Sequence, residues 1–148
     1  MSIILSDQDK STLRTAAYGA VSLVAAAGAA GGKPQKIATD GSIALASATG
    51  LIGHVLGDRS KSIKLDSKSV AALADQVLPT LTAAVTLLEK QAPAEADNFR
   101  STVLLAIETA HLGHGQPSPA MAEMARKITA ALTIHATTAY GDITARSL

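Results

Sequence analysis

Val70, Ala74, Val77, Leu78, Leu81, Ala84, Val85 and Leu88 recur at intervals of three and four residues, a spacing that gathers them on one side of an α-helix and scatters them over both faces of a strand. A helix with one apolar stripe is stable only when the stripe is buried against other elements, so this stretch obliges the rest of the chain to provide partners. Those partners are helices too, since the two-residue alternation of a half-buried strand occurs nowhere in the chain.

Punctuation residues set the expected boundaries. Ser6 followed by Asp9 forms a capping-box pattern, after which Leu13, Ala17, Ala20, Val21, Val24 and Gly28 keep helical spacing until Gly31-Gly32. Pro34 fits the first turn of a second helix with the stripe Ile37, Gly41, Ala44, Leu45, Ala48, Ile52 and Val55, ended by Gly57. The stretch from Asp58 to Lys64 reads as a loop. Asp66 is placed to cap the third helix, with Leu65 and Val70 as a hydrophobic staple and Pro79 on the side away from the stripe. Pro93, with Glu95 and Asp97 in the opening turns, begins a fourth helix bearing Phe99, Val103, Ile107 and Ala110, which ends at Gly113 or Gly115. Ser118-Pro119 opens a fifth, with Met121, Ala125, Ile128 and Leu132 continued by Ala139 and Ile143.

The expected fold is therefore all-α: a single domain over residues 1–148, built as an up-and-down bundle of about five helices. Connections of a few residues make antiparallel neighbours of helices one and two, three and four, and four and five. The core has to come from Ala, Leu, Val and Ile, because Phe99 is the chain's one phenylalanine and tryptophan is missing. Ala- and Gly-lined faces favour close helix approach over a roomy cavity.

Several function classes are disfavoured. A formal charge of +1 and three aromatic residues (one Phe, two Tyr) give nucleic acid neither a field nor stacking surfaces. Thr15 to Gly32 is uncharged and long enough for a membrane span, but its Ala and Gly contribute little transfer energy and no comparable second span accompanies it; a buried helix is expected instead. The first residues lack the basic start and apolar run of a secretory signal, and the chain has no cysteine, so a cytoplasmic address is expected. There is no Gly-x-Ser-x-Gly elbow, no cysteine nucleophile and no phosphate-binding Gly-x-x-x-x-Gly-Lys-Ser/Thr loop; Gly28, Gly31 and Gly32 read as a helix end and turn.

The remaining candidate chemistry is histidine. Glu108-x-x-His111-x-x-His114 spreads its outer members about 120° apart on a helix, too far to aim all three side chains at one ion. In an up-and-down bundle, however, the end of helix two, the start of helix three, the end of helix four and the start of helix five meet. His54, Asp75, His111 and His114 would then gather at one end with Glu123 nearby, a donor set suited to zinc or another divalent metal. His135 would lie about 20 Å away up helix five. Against this stands a non-enzymatic reading without cofactor, in which helix faces meet a protein partner or another copy of the chain. It rests on 47% hydrophobic residues, absent catalytic motifs and apolar residues off the main stripes: Leu23, Leu105, Leu112 and Ile134. Glu123 is also expected to approach His111 across the hairpin between helices four and five.

Overall fold

The computed structural model describes residues 5–28, 34–57, 65, 68–112 and 119–133, and these are helical with no strand among them. In chain order the helices are α1 (Asp7–Ala27), α2 (Pro34–Ala46), α3 (Gly50–Leu56), α4 (Val70–Gln91), α5 (Pro93–Leu112) and α6 (Pro119–Thr133).

The expected bundle has six described helices rather than five because the second breaks in two. Its apolar period runs on through Ala48 to Ile52 and Val55, yet the backbone leaves the helix at Ser47–Thr49 and re-enters at Gly50, whose φ of +71° lies in the left-handed region. Side chains of α5 hold the break open: Asn98 Nδ2 donates to Thr49 O at 3.0 Å, and Glu95 Oε1 accepts from Ile52 N at 3.3 Å, serving as a borrowed cap for the first turn of α3.

Caps elsewhere follow local chemistry. At α1 the capping box is complete, with Asp9 N donating to Ser6 Oγ and Ser6 N to Asp9 Oδ2. Gln91 Nε2 donates to the same carboxylate at 3.1 Å from the end of α4, and this bond is the main reason the Asp9 carboxyl sits below its ordinary range. At α4 the cap is Ser69, whose Oγ accepts from Ala72 N, three residues beyond the expected Asp66. Asp66 lies outside the described residues. Val70, expected in the buried stripe, is 38% exposed in the first turn, while Pro79 sits inside α4 and exposed, off the stripe as anticipated. The C-terminal continuation through Ala139 and Ile143, with Ile134 and His135, also lies outside the described residues.

Close contacts fix the helix directions. Gly28 approaches Ile37, and a Cβ on Gly41 would lie 2.7 Å from Val21 Cγ1, so α2 runs antiparallel to α1 at small-residue spacing. Asp9 meets Gln91 and Gly19 meets Val77, so α4 is antiparallel to α1 as well. Gly19 and Val21 point about 200° apart on a helix, which places α4 and α2 on opposite sides of α1. α5 is antiparallel to α4 across the single residue Ala92, and Arg100 near the start of α5 meets Leu132 near the last described residue of α6, so α6 is antiparallel to α5, as expected. Met121 beside Gly28, and Ala131 O accepting from Thr82 Oγ1 at 2.9 Å, confirm the direction of α6.

With α2 and α4 both descending, α3 stands at the foot of the bundle and α4 begins at its head. α1 consequently lies at the centre and packs against all five other described helices. Its Leu13, Ala16, Ala17, Ala20, Val21, Leu23 and Val24 are buried, and Leu23, an off-stripe residue in need of a neighbour, finds one here. α5 lies across α1 and touches both α2 and α4, with Phe99, Val103, Ala106 and Ala110 wholly buried. Among the described residues α4 is the helix long and apolar enough by length and composition to cross a membrane, with mean hydropathy 1.5; its buried stripe packs on α1, α5 and α6.

Candidate functional site

The direction of α4 decides where the candidate metal ligands lie. α3 is tied to the first turns of α5 through Glu95 and Asn98, whereas His111 is in the last turn of α5, sixteen residues on or roughly 24 Å by helix rise. His54, exposed on α3, is thus near the opposite end of the bundle from His111. Asp75 on α4 and Glu123 on α6 are exposed and share the upper half with the backbone of His111. The side chain of His111, and His114 altogether, lie outside the described residues. Among the described residues no three His, Cys, Asp or Glu side chains come close enough to hold one ion. α5 is described as far as Leu112, so the expected end at Gly113 or Gly115 lies outside the described residues, and the carboxylate of Glu123 is taken by Arg126 one turn along its own helix.

Other carboxylates are likewise committed to structure. Arg100 donates from Nε to Leu132 O at 3.0 Å, from Nη1 to Asp97 at 2.7 Å and from Nη2 to Glu89 at 2.5 Å, tying α4, α5 and the end of α6 with one side chain. A planar guanidinium with five donors suits such a three-way junction. Lys36 pairs with Asp40 along α2 at 3.0 Å, and Glu95 is occupied by Ile52 N and Asn98. Such pairs and caps hold helices in place and offer no poised acid and base to a substrate.

Two features are not accounted for by the packing of the fold. The first is an apolar pair. Ile43 on α2 and Leu105 on α5 are each 58% exposed, on helices that pack against one another. Asn98 against Thr49 sets the register of the antiparallel pair; Ile43 comes six residues before Thr49 and Leu105 seven after Asn98, so both belong to the stretch over which the two helices run side by side. Thr39, Ala46 and Ser47 flank Ile43, and Ser101 precedes Leu105 by one turn, all exposed and uncharged. Leu105 was legible as an off-stripe residue. Ile43 carries the same signal, at two residues from both Gly41 and Leu45 on the buried stripe.

The second feature is Arg14, 5% exposed on the central helix, whose Nε and Nη1 have no hydrogen-bond partner among the described residues. Removing charged donors from water without partners costs at least about 1–3 kcal/mol each, and arginine cannot relieve the cost by releasing its proton. Its position was readable on the helical wheel: Arg14 is seven residues before buried Val21, hence on nearly the same side of α1. A shallow, open groove of about 330 Å³ between α4 and α6, lined by Leu78, Pro79, Thr82, Lys127, Ala130 and Ala131, is separate from both features.

The arrangement as a whole offers surfaces and one buried cation for binding, and no assembled catalytic group among the described residues. Comparison of the chain with protein-family models, with curated proteins and with solved structures gives no match to set beside these features.

Proposed function

We propose that the chain is a non-enzymatic helical bundle that works by contact between helix faces, with the outer face of α2 and α5 as the contact surface and a second copy as its first partner. The observation that carries this reading is the Ile43–Leu105 pair, two large aliphatic side chains exposed on helices that pack against one another. A two-fold contact places the same patch on itself. The uncharged centre supports that pairing, because two copies meet without burying like charges; the neutralised Lys36–Asp40 pair and the exposed Glu108 stand farther along the helices. α2 is 13 residues long, so the two-helix face measures roughly 20 Å by 20 Å, at the lower end of interface sizes and suited to a weak association.

Sedimentation equilibrium of the full chain is expected to show monomer and dimer exchanging over micromolar to submillimolar concentrations. Leu105→Glu, alone or with Ile43→Glu, is expected to hold the protein monomeric with its unfolding midpoint nearly unchanged, since both positions are exposed. A wild-type monomer throughout that range would dispose of self-association and leave this face to a different protein.

The rival reading, a divalent metal such as zinc at the histidine end, would draw on Asp75, His111 and His114 without His54, which is on α3 beside the first turns of α5. If protein purified without chelator carries metal, elemental analysis of His54→Ala is expected to find the same content; loss of metal on that substitution would contradict the separation of α3 from the end of α5.

A further inference from the structure

We propose that Arg14 anchors a binding site for a small oxyanion, a carboxylate or a phosphate, at the joint between α2 and α3. The inference is independent of the α2–α5 contact surface and rests on the buried guanidinium and on what surrounds it.

Arg14 shares a side of α1 with Tyr18 and Val21. Tyr18 donates its hydroxyl to Leu56 O at the end of α3, at 2.6 Å, and Val21 meets Gly41 of α2. Seven residues down α1 from Val21 and seven along the antiparallel α2 from Gly41 bring Arg14 level with Ala48, where the backbone leaves the helix. Arg14 is therefore rooted on α1 level with the interruption between α2 and α3, and its guanidinium is buried. Glu95, the carboxylate beside that interruption, is already engaged with Ile52 N and Asn98 Nδ2.

A buried lysine in this position would shed its proton and become neutral; arginine keeps its charge at any pH the protein survives. The positive charge has to be met by negative charge or left as a standing penalty on the fold. Nε and Nη1 lie on different edges of the planar group, so satisfying both takes more than one acceptor atom. A carboxylate or phosphate supplies several acceptor oxygens together with the charge, and charge-assisted bonds from guanidinium to such oxygens are among the stronger ones in proteins. Access on this proposal would be through the joint, where Ser47 and Thr49 are exposed beside the glycine-hinged start of α3.

The test uses the full chain labelled with nitrogen-15 in arginine, the Arg14 Nε signal being assigned by its loss in Arg14→Lys. Inorganic phosphate and acetate are titrated separately at constant ionic strength, so that screening stays fixed. The expected result is a saturable shift of that signal and a rise in melting temperature on the order of 5–10 °C at a hundredfold excess over the dissociation constant. A response to phosphate alone assigns a phosphate ligand, one to acetate alone a carboxylate. In buffer free of both, Arg14→Met is expected to melt no lower than the wild type and to lose the anion response, because an apolar isostere removes the unmet charge. An Nε signal unmoved by either anion overturns the proposal, whether bound water or a carboxylate of the chain itself meets the guanidinium. That measurement needs only the wild type and Arg14→Lys, so it stands even if Arg14→Met fails to fold.

Discussion

Phe99→Ala is expected to destabilise the protein by about 3–5 kcal/mol, a large part of the roughly 5–15 kcal/mol that holds a typical domain together. The ring is wholly buried and is the largest side chain in the core, on the face of α5 that carries Val103 and Ala106. The core to which it belongs draws heavily on alanine and is poor at filling a void. Ala16, Ala17 and Ala20 of α1 have no longer rotamers to extend, and helix axes already in close approach at Gly41 and Gly19 have little room to settle. Urea unfolding followed by far-ultraviolet circular dichroism should show the midpoint falling with the slope unchanged. Phe99→Leu, which keeps most of the volume, is expected to lose less than half as much. A loss near 1 kcal/mol for the alanine variant would mean that the ring contributes little to the core packing.

Gly53→Ala should reverse the usual effect of removing a helical glycine. Alanine normally favours a helix by about 1 kcal/mol over glycine. At Gly53 the added Cβ would lie 2.0 Å from Ala48 O and 2.5 Å from Ala48 C, both main-chain atoms, so no side-chain rotation relieves the clash. The joint between α2 and α3 has to move, and with it the bonds from Asn98 to Thr49 O and from Ile52 N to Glu95. The expected loss is about 3 kcal/mol, with exchange protection lost first at the Ile52 amide. A variant as stable as the wild type would show that the close approach of residues 48 and 53 is not needed by the fold.

The helices were legible wherever apolar spacing and punctuation agreed. Ser6 with Asp9, Pro34, Pro93 and Pro119 all stand at or just before the first turns they were expected to open, and the buried residues of α1 and α5 include those named from periodicity. The break at Ser47–Thr49 was hidden because Ala48 and Ile52 keep the period across it; only Gly50 and Gly53 betray it, and glycine alone does not separate a hinge from a closely packed helix. Ser69 prevailed over Asp66 as a cap within a few residues that offer two good capping side chains. The placement of His54 failed for another reason. Loop length shows that a connection is possible without showing whether it turns at once or travels back along the bundle, and that choice separated His54 from His111. Arg14 needed no structure to be noticed, since its wheel position already put a fixed charge on an apolar side.

The central place of α1 has a consequence for how the molecule is made. The hub of the bundle precedes every other described helix, and the surfaces that cover it come from α2 through α6, the last described as far as Thr133. During synthesis its apolar sides emerge first and wait for more than a hundred residues of covering chain, which takes on the order of 5–20 s at the usual rate of translation. Native burial of Leu13, Leu23 and Val24 is therefore a late event that joins distant parts of the sequence, despite the local character of every helix. In the nascent chain, the low apolar area of Ala16, Ala17, Ala20 and Ala25 limits the sticky surface that the waiting helix presents. The small residues that let the finished helices pack closely would thus also protect the unfinished protein from aggregation.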